Sequence, residues 1–124
     1  MKLLLSFLLI VFVSCSKSGN AEKDNELPVI QILSPVDGTS FTAGSAVNIN
    51  GTITDNKRLV EIHVHILNVV TGQLLIDIHR TPDGSTFSLN ESFQVAAATQ
   101  YRLQVIAKDN SNNENRSTIF ISGN

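Results

Sequence analysis

The chain has 124 residues, 42% of them hydrophobic, with 9 Lys and Arg against 11 Asp and Glu and a net charge of −2. That length suits a single domain, and the mildly acidic balance argues against nucleic acid, which needs clustered Lys and Arg. The one cysteine excludes an internal disulfide, so a fold must stand on its hydrophobic core, which a domain of ~100 residues can do.

The chain opens with Lys2 and an apolar run, Leu3 to Val13. The run is shorter than the ~20 residues that a helix needs to cross a bilayer core. A positive start, a short apolar segment and small residues before a cut site predict a secretory signal peptide over residues 1–14. The stretch Phe12-Val13-Ser14-Cys15 resembles a bacterial lipobox. The resemblance implies that Cys15 is acylated and becomes the first mature residue. It places the protein in the bacterial cell envelope, partnered with a membrane through lipid. Loss of Lys2 takes the net charge from −2 to −3. Ser16, where retained lipoproteins carry Asp, implies by the same resemblance the outer membrane. Lys17 with the more distant Glu22, Asp24 and Glu26 resembles surface-export signals of Bacteroidota lipoproteins, with the acids displaced from the lysine. Ser16 to Glu26 holds no large apolar side chain and predicts a flexible tether, with Cys15, over residues 15–27.

From Leu27 onward the pattern has period two, the mark of half-buried strands. Val29–Leu33 is a first strand, ended by Pro35 and Gly38. Phe41 is a short apolar anchor, and Val47, Ile49 and Ile53 alternate with polar residues. Asp55-Asn56-Lys57 predicts a loop. Ile62, Val64 and Ile66 alternate with His63 and His65, and Ile76 and Ile78 alternate with Asp77 and His79. Thr81-Pro82-Asp83-Gly84 has the residues of a type I turn. Phe87, Leu89, Phe93 and Val95 continue the pattern, with Glu91 as its one charged position. Val95 to Thr99 can form a helical turn. Tyr101, Leu103 and Val105 make a further strand, and Ile119 and Ile121 the last.

About seven short strands with frequent turn signals predict an all-β, immunoglobulin-like two-sheet β-sandwich over residues 28–124. Pro28, Ile30, Ile32, Pro35 and Gly38, then Phe41 and Gly44, Val47, Ile49 and Gly51, Asp55, and finally Val105, Ala107 and Asp109 with Asn112-Asn113, resemble bacterial immunoglobulin-like and fibronectin-type-III-like domains. The resemblance implies a non-catalytic binding or structural accessory module whose partner is an envelope protein or a glycan. It also places Tyr101 like the tyrosine corner of that fold, tying a loop. Either Val29–Leu33 or Leu74–His79 is expected as an unpaired edge open to dimerisation.

Two constellations carry chemistry. A three-residue link, Val70-Thr71-Gly72, pairs residues whose numbers sum to 142. Ile66 then faces Ile76 on the inner side, while on the outer side His65 faces Asp77 and His63 faces His79. Imidazoles and a carboxylate on one patch suit Zn²⁺, Cu²⁺ or Ni²⁺, with no resident cofactor otherwise expected. The second is an oxygen-rich end, where Asp55, Asp109 and Glu114 are candidate ligands for calcium. No Gly-x-Ser-x-Gly elbow, phosphate loop or His-Glu-x-x-His is present, so no enzyme is expected.

Overall fold

The computed structural model describes Gly19 and residues 21–124. The expected signal peptide, Cys15 and the start of the tether lie outside these residues. Seven strands follow in order: β1 (Val29–Ser34), β2 (Ser40–Phe41), β3 (Ala46–Asn68), β4 (Leu74–Arg80), β5 (Gly84–Gln94), β6 (Thr99–Asp109) and β7 (Glu114–Gly123). No helix occurs among the described residues.

The long strand β3 belongs to both layers. Its first half, Ala46–Thr54, lies between β1 and β5, as at Thr52, which pairs with Gln31 and Ser88. Its second half, from Leu59, lies between β4 and β6. β7 pairs with β6, and β2 runs parallel to the end of β7. The result is a β1-β3-β5 sheet facing a β4-β3-β6-β7-β2 sheet. The loop expected at Asp55-Asn56-Lys57 is instead extended chain carrying β3 from one sheet to the other. Neither Gly nor Pro interrupts that stretch, so its polar side chains mark a crossing rather than a turn.

Alternation puts one face of each sheet inward. Val47, Ile49 and Ile53 from the first half of β3 meet Ile62, Val64 and Ile66 from its second half and Leu103 and Val105 of β6, all fully buried. Each such side chain contributes about 1.5–3 kcal/mol by leaving water. Leu59, Val95 and Ile121 join this core, while Ile30, Ile32, Phe41, Ile76, Phe87 and Ile119 pack against it half-buried. Arg80 and Glu91 close one open flank, with Nε–Oε1 at 2.8 Å and a second contact, NH2 to Oε2, at 2.9 Å. That fork explains the one charged residue in the β5 register, where Glu91 has a side chain 11% exposed.

Tyr101 is buried, and its hydroxyl accepts the Ala96 N–H at 2.7 Å. The helical turn expected over Val95–Thr99 does not form. Its backbone groups have other partners: Val95 N–H donates to Ser45, and Gly44 N–H donates to Val95. The tether also differs from expectation at its C-terminal end. Asp24 is only 6% exposed, and Pro28 is fully buried. At Asp24 the docking is polar: Asn56 Nδ2 donates to Asp24 Oδ1 at 3.0 Å, and Asn113 Nδ2 donates to the Asp24 carbonyl at 3.0 Å. Both β1 and β4 are edges, each hydrogen-bonded only to β3 among the described residues.

Candidate functional site

The β3–β4 hairpin sets the first site. Asn68 N–H bonds the Gln73 carbonyl, so the link is four residues long rather than three, with Gly72 left-handed at φ 71°. Asn68 Oδ1 accepts the N–H groups of Val70 and Thr71, which holds the turn. A four-residue link alone would reverse the faces. A bulge restores them: Leu67 pairs with Leu74, then Ile66 with Ile76, leaving Leu75 extra. The resulting register is the expected one, with His65 opposite Asp77, His63 opposite His79, and Val64 opposite Ile78.

His63 is the centre of the cluster. Its Nδ1 lies 2.8 Å from Asp77 Oδ1 and its Nε2 lies 2.8 Å from Glu61 Oε1. An ionised carboxylate only accepts, so the two contacts favour the ring protonated on both nitrogens, the imidazolium. His65 Nε2 is 3.4 Å from the same Asp77 oxygen, and His79 Nε2 is 3.8 Å from Glu61 Oε1. The His79 ring stacks on His63 with centroids 4.7 Å apart. On the other side β6 presents Gln104 beside His65, Ile106 beside His63 and Lys108 beside Glu61. Glu61 was not among the expected ligands. The signal was there, since it shares the outer face with His63 and His65 at a spacing of two.

The bonds to Asp77 and then Glu61 hold the His63 pKa above its ordinary 6.5. The bond to His63 holds Asp77 below 3.8 and Glu61 below 4.5. The imidazolium therefore adds stability below pH 6.5, and that contribution is lost as pH rises through the raised folded value. The two acids act in the opposite sense, adding stability above their unfolded values and losing it as pH falls through their depressed ones. In chelator, the urea midpoint should decline from pH 6.5 upward, and His63→Gln should flatten that slope. Because Glu61 and Asp77 are well exposed, salt should weaken the effect.

At the end of the sandwich that receives the N-terminal segment, Asp109 is fully buried. Its Oδ1 accepts the N–H groups of Ser111 and Asn113, and its Oδ2 accepts Asn113 Nδ2. Asp24 and Asp55 each bring a carboxylate oxygen within 4.8 Å of it and of each other. Glu114, expected here as a third acid, turns away and forms a fork with Arg116 two residues along the same face of β7. Asp24 takes its place. Bonds from Asn56 and from the Glu26 N–H hold the Asp24 carboxyl below its ordinary range.

The opposite end carries a groove of about 310 Å³ lined by Gly38, Val69, Gln100, Tyr101, Phe120, Ile121 and Ser122. Phe120 is 48% exposed at its rim, beside exposed Val36 and Val70 in neighbouring turns. No carboxylate, imidazole or amine lines it.

Among solved structures, the chain is similar to the fibronectin(III)-like modules of Clostridium thermocellum CbhA, at 22% identity and TM-score 0.52, covering 77% of this chain and 94% of that one. It also matches murine CRIg, at 12% identity and TM-score 0.43, over 79% of this chain and 97% of that one. A beta-glucosidase from Listeria innocua in complex with glucose matches at 13% identity and TM-score 0.35, over 77% of this chain but 16% of that one. No curated protein matches the chain. The first of these likenesses supports the fold alone. The family model described as bacterial Ig domain matches residues 28–105, which carry β1 to β5 and much of β6, and the chain therefore belongs to the bacterial Ig domain family.

Proposed function

We propose that this protein is a lipid-anchored envelope protein whose Ig-like domain is a non-catalytic binding or structural accessory module. The observation that carries the reading is the separation of shape from chemistry. The groove holds no carboxylate, imidazole or amine, and its two hydroxyls, Tyr101 and Ser122, are already hydrogen-bonded, to the Ala96 N–H and to Ser40, whereas the titratable cluster lies on the outer face of a sheet. Catalysis needs both in one place. Cys15 supplies the anchor in this reading. Asp24 is already docked on the domain, so only eight residues, Ser16 to Lys23, intervene, at most about 30 Å of extended chain. The domain then stands close to the membrane, with its apolar groove directed away from it. That lining suits a protein segment better than a glycan.

The test is fractionation of cells expressing the full chain. The wild type should incorporate a labelled fatty acid and sediment with membranes. Cys15→Ser should carry no label and move to the soluble fraction. A labelled or membrane-bound Cys15→Ser protein overturns the anchor.

A second reading is favoured by the donor atoms of His63, His65 and Asp77, which lie within 4.8 Å of one another. There the outer face of the hairpin takes Zn²⁺, Cu²⁺ or Ni²⁺, and the protein is an envelope metal-binding protein.

A further inference from the structure

We propose that Asp24, Asp55 and Asp109 bind one Ca²⁺ ion, which clamps the segment leading from the N-terminus onto the end of the sandwich. The three carboxylates come from three places in the chain: the N-terminal segment, the crossing of β3 between sheets, and the end of β6. Burying like charges together is costly unless something positive or a donor faces them. Asp109 is largely satisfied by its own turn. The other two are not. Asp24 Oδ2 and Asp55 Oδ1 are shut off from solvent, and among the described residues neither has a hydrogen-bond donor. Asp24 as a whole is only 6% exposed. Two orphaned, buried oxygens in one group of three acids are what a cation would satisfy. The Lys57 ammonium acts on Asp24 from a distance, but one amine does not balance three carboxylates.

The donor set decides which cation. All the donors are carboxylate oxygens, with no imidazole or thiolate among them, which selects a hard ion. Calcium takes 6–8 oxygens at about 2.3–2.6 Å in irregular geometry, so oxygens within 4.8 Å of one another can share one ion. Magnesium requires a near-ideal octahedron with shorter bonds and keeps more water. Asp24 and Asp55 each retain one oxygen bonded to protein, Asp24 Oδ1 to the Glu26 N–H and Asn56, and Asp55 Oδ2 to the Lys57 N–H. Those bonds aim the carboxylates without consuming the free oxygens. Sites of this kind in extracellular modules bind at about 10⁻⁴–10⁻³ M, and fill outside the cytoplasm. The clamp stands whether or not Cys15 carries lipid.

The experiment is thermal melting of the full chain in mild detergent, with chelator or with about 10 mM Ca²⁺ or Mg²⁺. For a site with a Kd near 10⁻⁴ M that calcium concentration is about 100 times Kd, and the melting temperature should rise by roughly ten degrees. Magnesium should give a much smaller rise. Asp24→Asn and Asp55→Asn should each lose the calcium shift while melting near the wild type in chelator. Asp24 precedes the first strand, so its substitution leaves the sandwich to fold. Hydrogen exchange should show the amides of Asn25 and Glu26 protected by calcium in the wild type only. No calcium shift, or a shift that survives both substitutions, overturns the site. Equal stabilisation by Mg²⁺ overturns its assignment to calcium.

Discussion

Gly51→Ala should lower the melting temperature by roughly 12–24 °C and selectively expose the amides of β1 to exchange. Gly51 sits at the middle of the first half of β3, paired with Ile32 on one side and Leu89 on the other. Its backbone is not in the left-handed region, so conformational freedom is not the reason for glycine. Space is: a Cβ there would run into the carbonyl of Gln31 and the Cα of Ile32. Those atoms are backbone, in an edge strand that bulges one step later between Ile32 and Ser34. To admit a methyl group, β1 must move off its partner. Overpacking of this kind costs about 3 kcal/mol at the upper end of its usual range. With about 4–8 °C lost per kcal/mol in a domain of this size, the melting shift follows. Gly72→Ala is the control. Its φ of 71° strains an alanine, but nothing lies within 4 Å, so the loss should be about 1 kcal/mol and confined to the hairpin turn. A Gly51→Ala loss no larger than that of Gly72→Ala would show that β1 is loosely held. The point bears on function as well as stability. β1 is the strand that continues from Asp24 and Pro28, so its release would lengthen the chain between the domain and the N-terminus.

The architecture was legible because period two is a strong signal in this chain. From Ile62 onward the fully buried side chains of β3, Ile62, Val64 and Ile66, alternate with outer residues, while buried Leu59 lies before a register shift. The hairpin register was legible for the same reason. Pairing Ile66 with Ile76 is forced by burial, so the register held although the turn is one residue longer and a bulge corrects it. The crossing at Asp55–Arg58 was not legible. A polar run without Gly or Pro reads as a loop in sequence, and only the change of partners from β5 to β6 shows it as continuous strand. The docking of Asp24 was also hidden. A composition argument counts apolar burial, whereas this segment is held by two asparagines, Asn56 and Asn113, far away in sequence. Glu114 stands apart from the other acids because the strand places it on the same face as Arg116, a nearer and charged partner.

Zinc at about 100 times its Kd should raise the melting temperature of the full chain by roughly ten degrees above pH 7, and the shift should shrink toward pH 6. The argument starts from the proton. When protonated, His63 donates from both nitrogens, to Asp77 and to Glu61, and those bonds stabilise its charged form. A metal ion requires a neutral imidazole, so it must displace a proton that the cluster itself holds. The pH at which His63 gives up that proton therefore sets the pH at which zinc binds well. Geometry selects between two possible triads that share this ring. Ligand atoms around a tetrahedral zinc lie about 3.3 Å apart, from bonds of about 2.0–2.1 Å. His65 Nε2 and Asp77 Oδ1, at 3.4 Å, lie closer to that spacing than His79 Nε2 and Glu61 Oε1, at 3.8 Å. His63→Ala should abolish the zinc shift, and so should His65→Ala. His79→Ala should leave most of it. The visible absorption of Co²⁺ in the same site gives a readout independent of stability, rising in the wild type and in His79→Ala but not in His65→Ala. If Zn²⁺, Cu²⁺ and Ni²⁺ all leave the melting temperature unchanged at pH 8, the cluster is a proton-held surface network, and the accessory module alone remains.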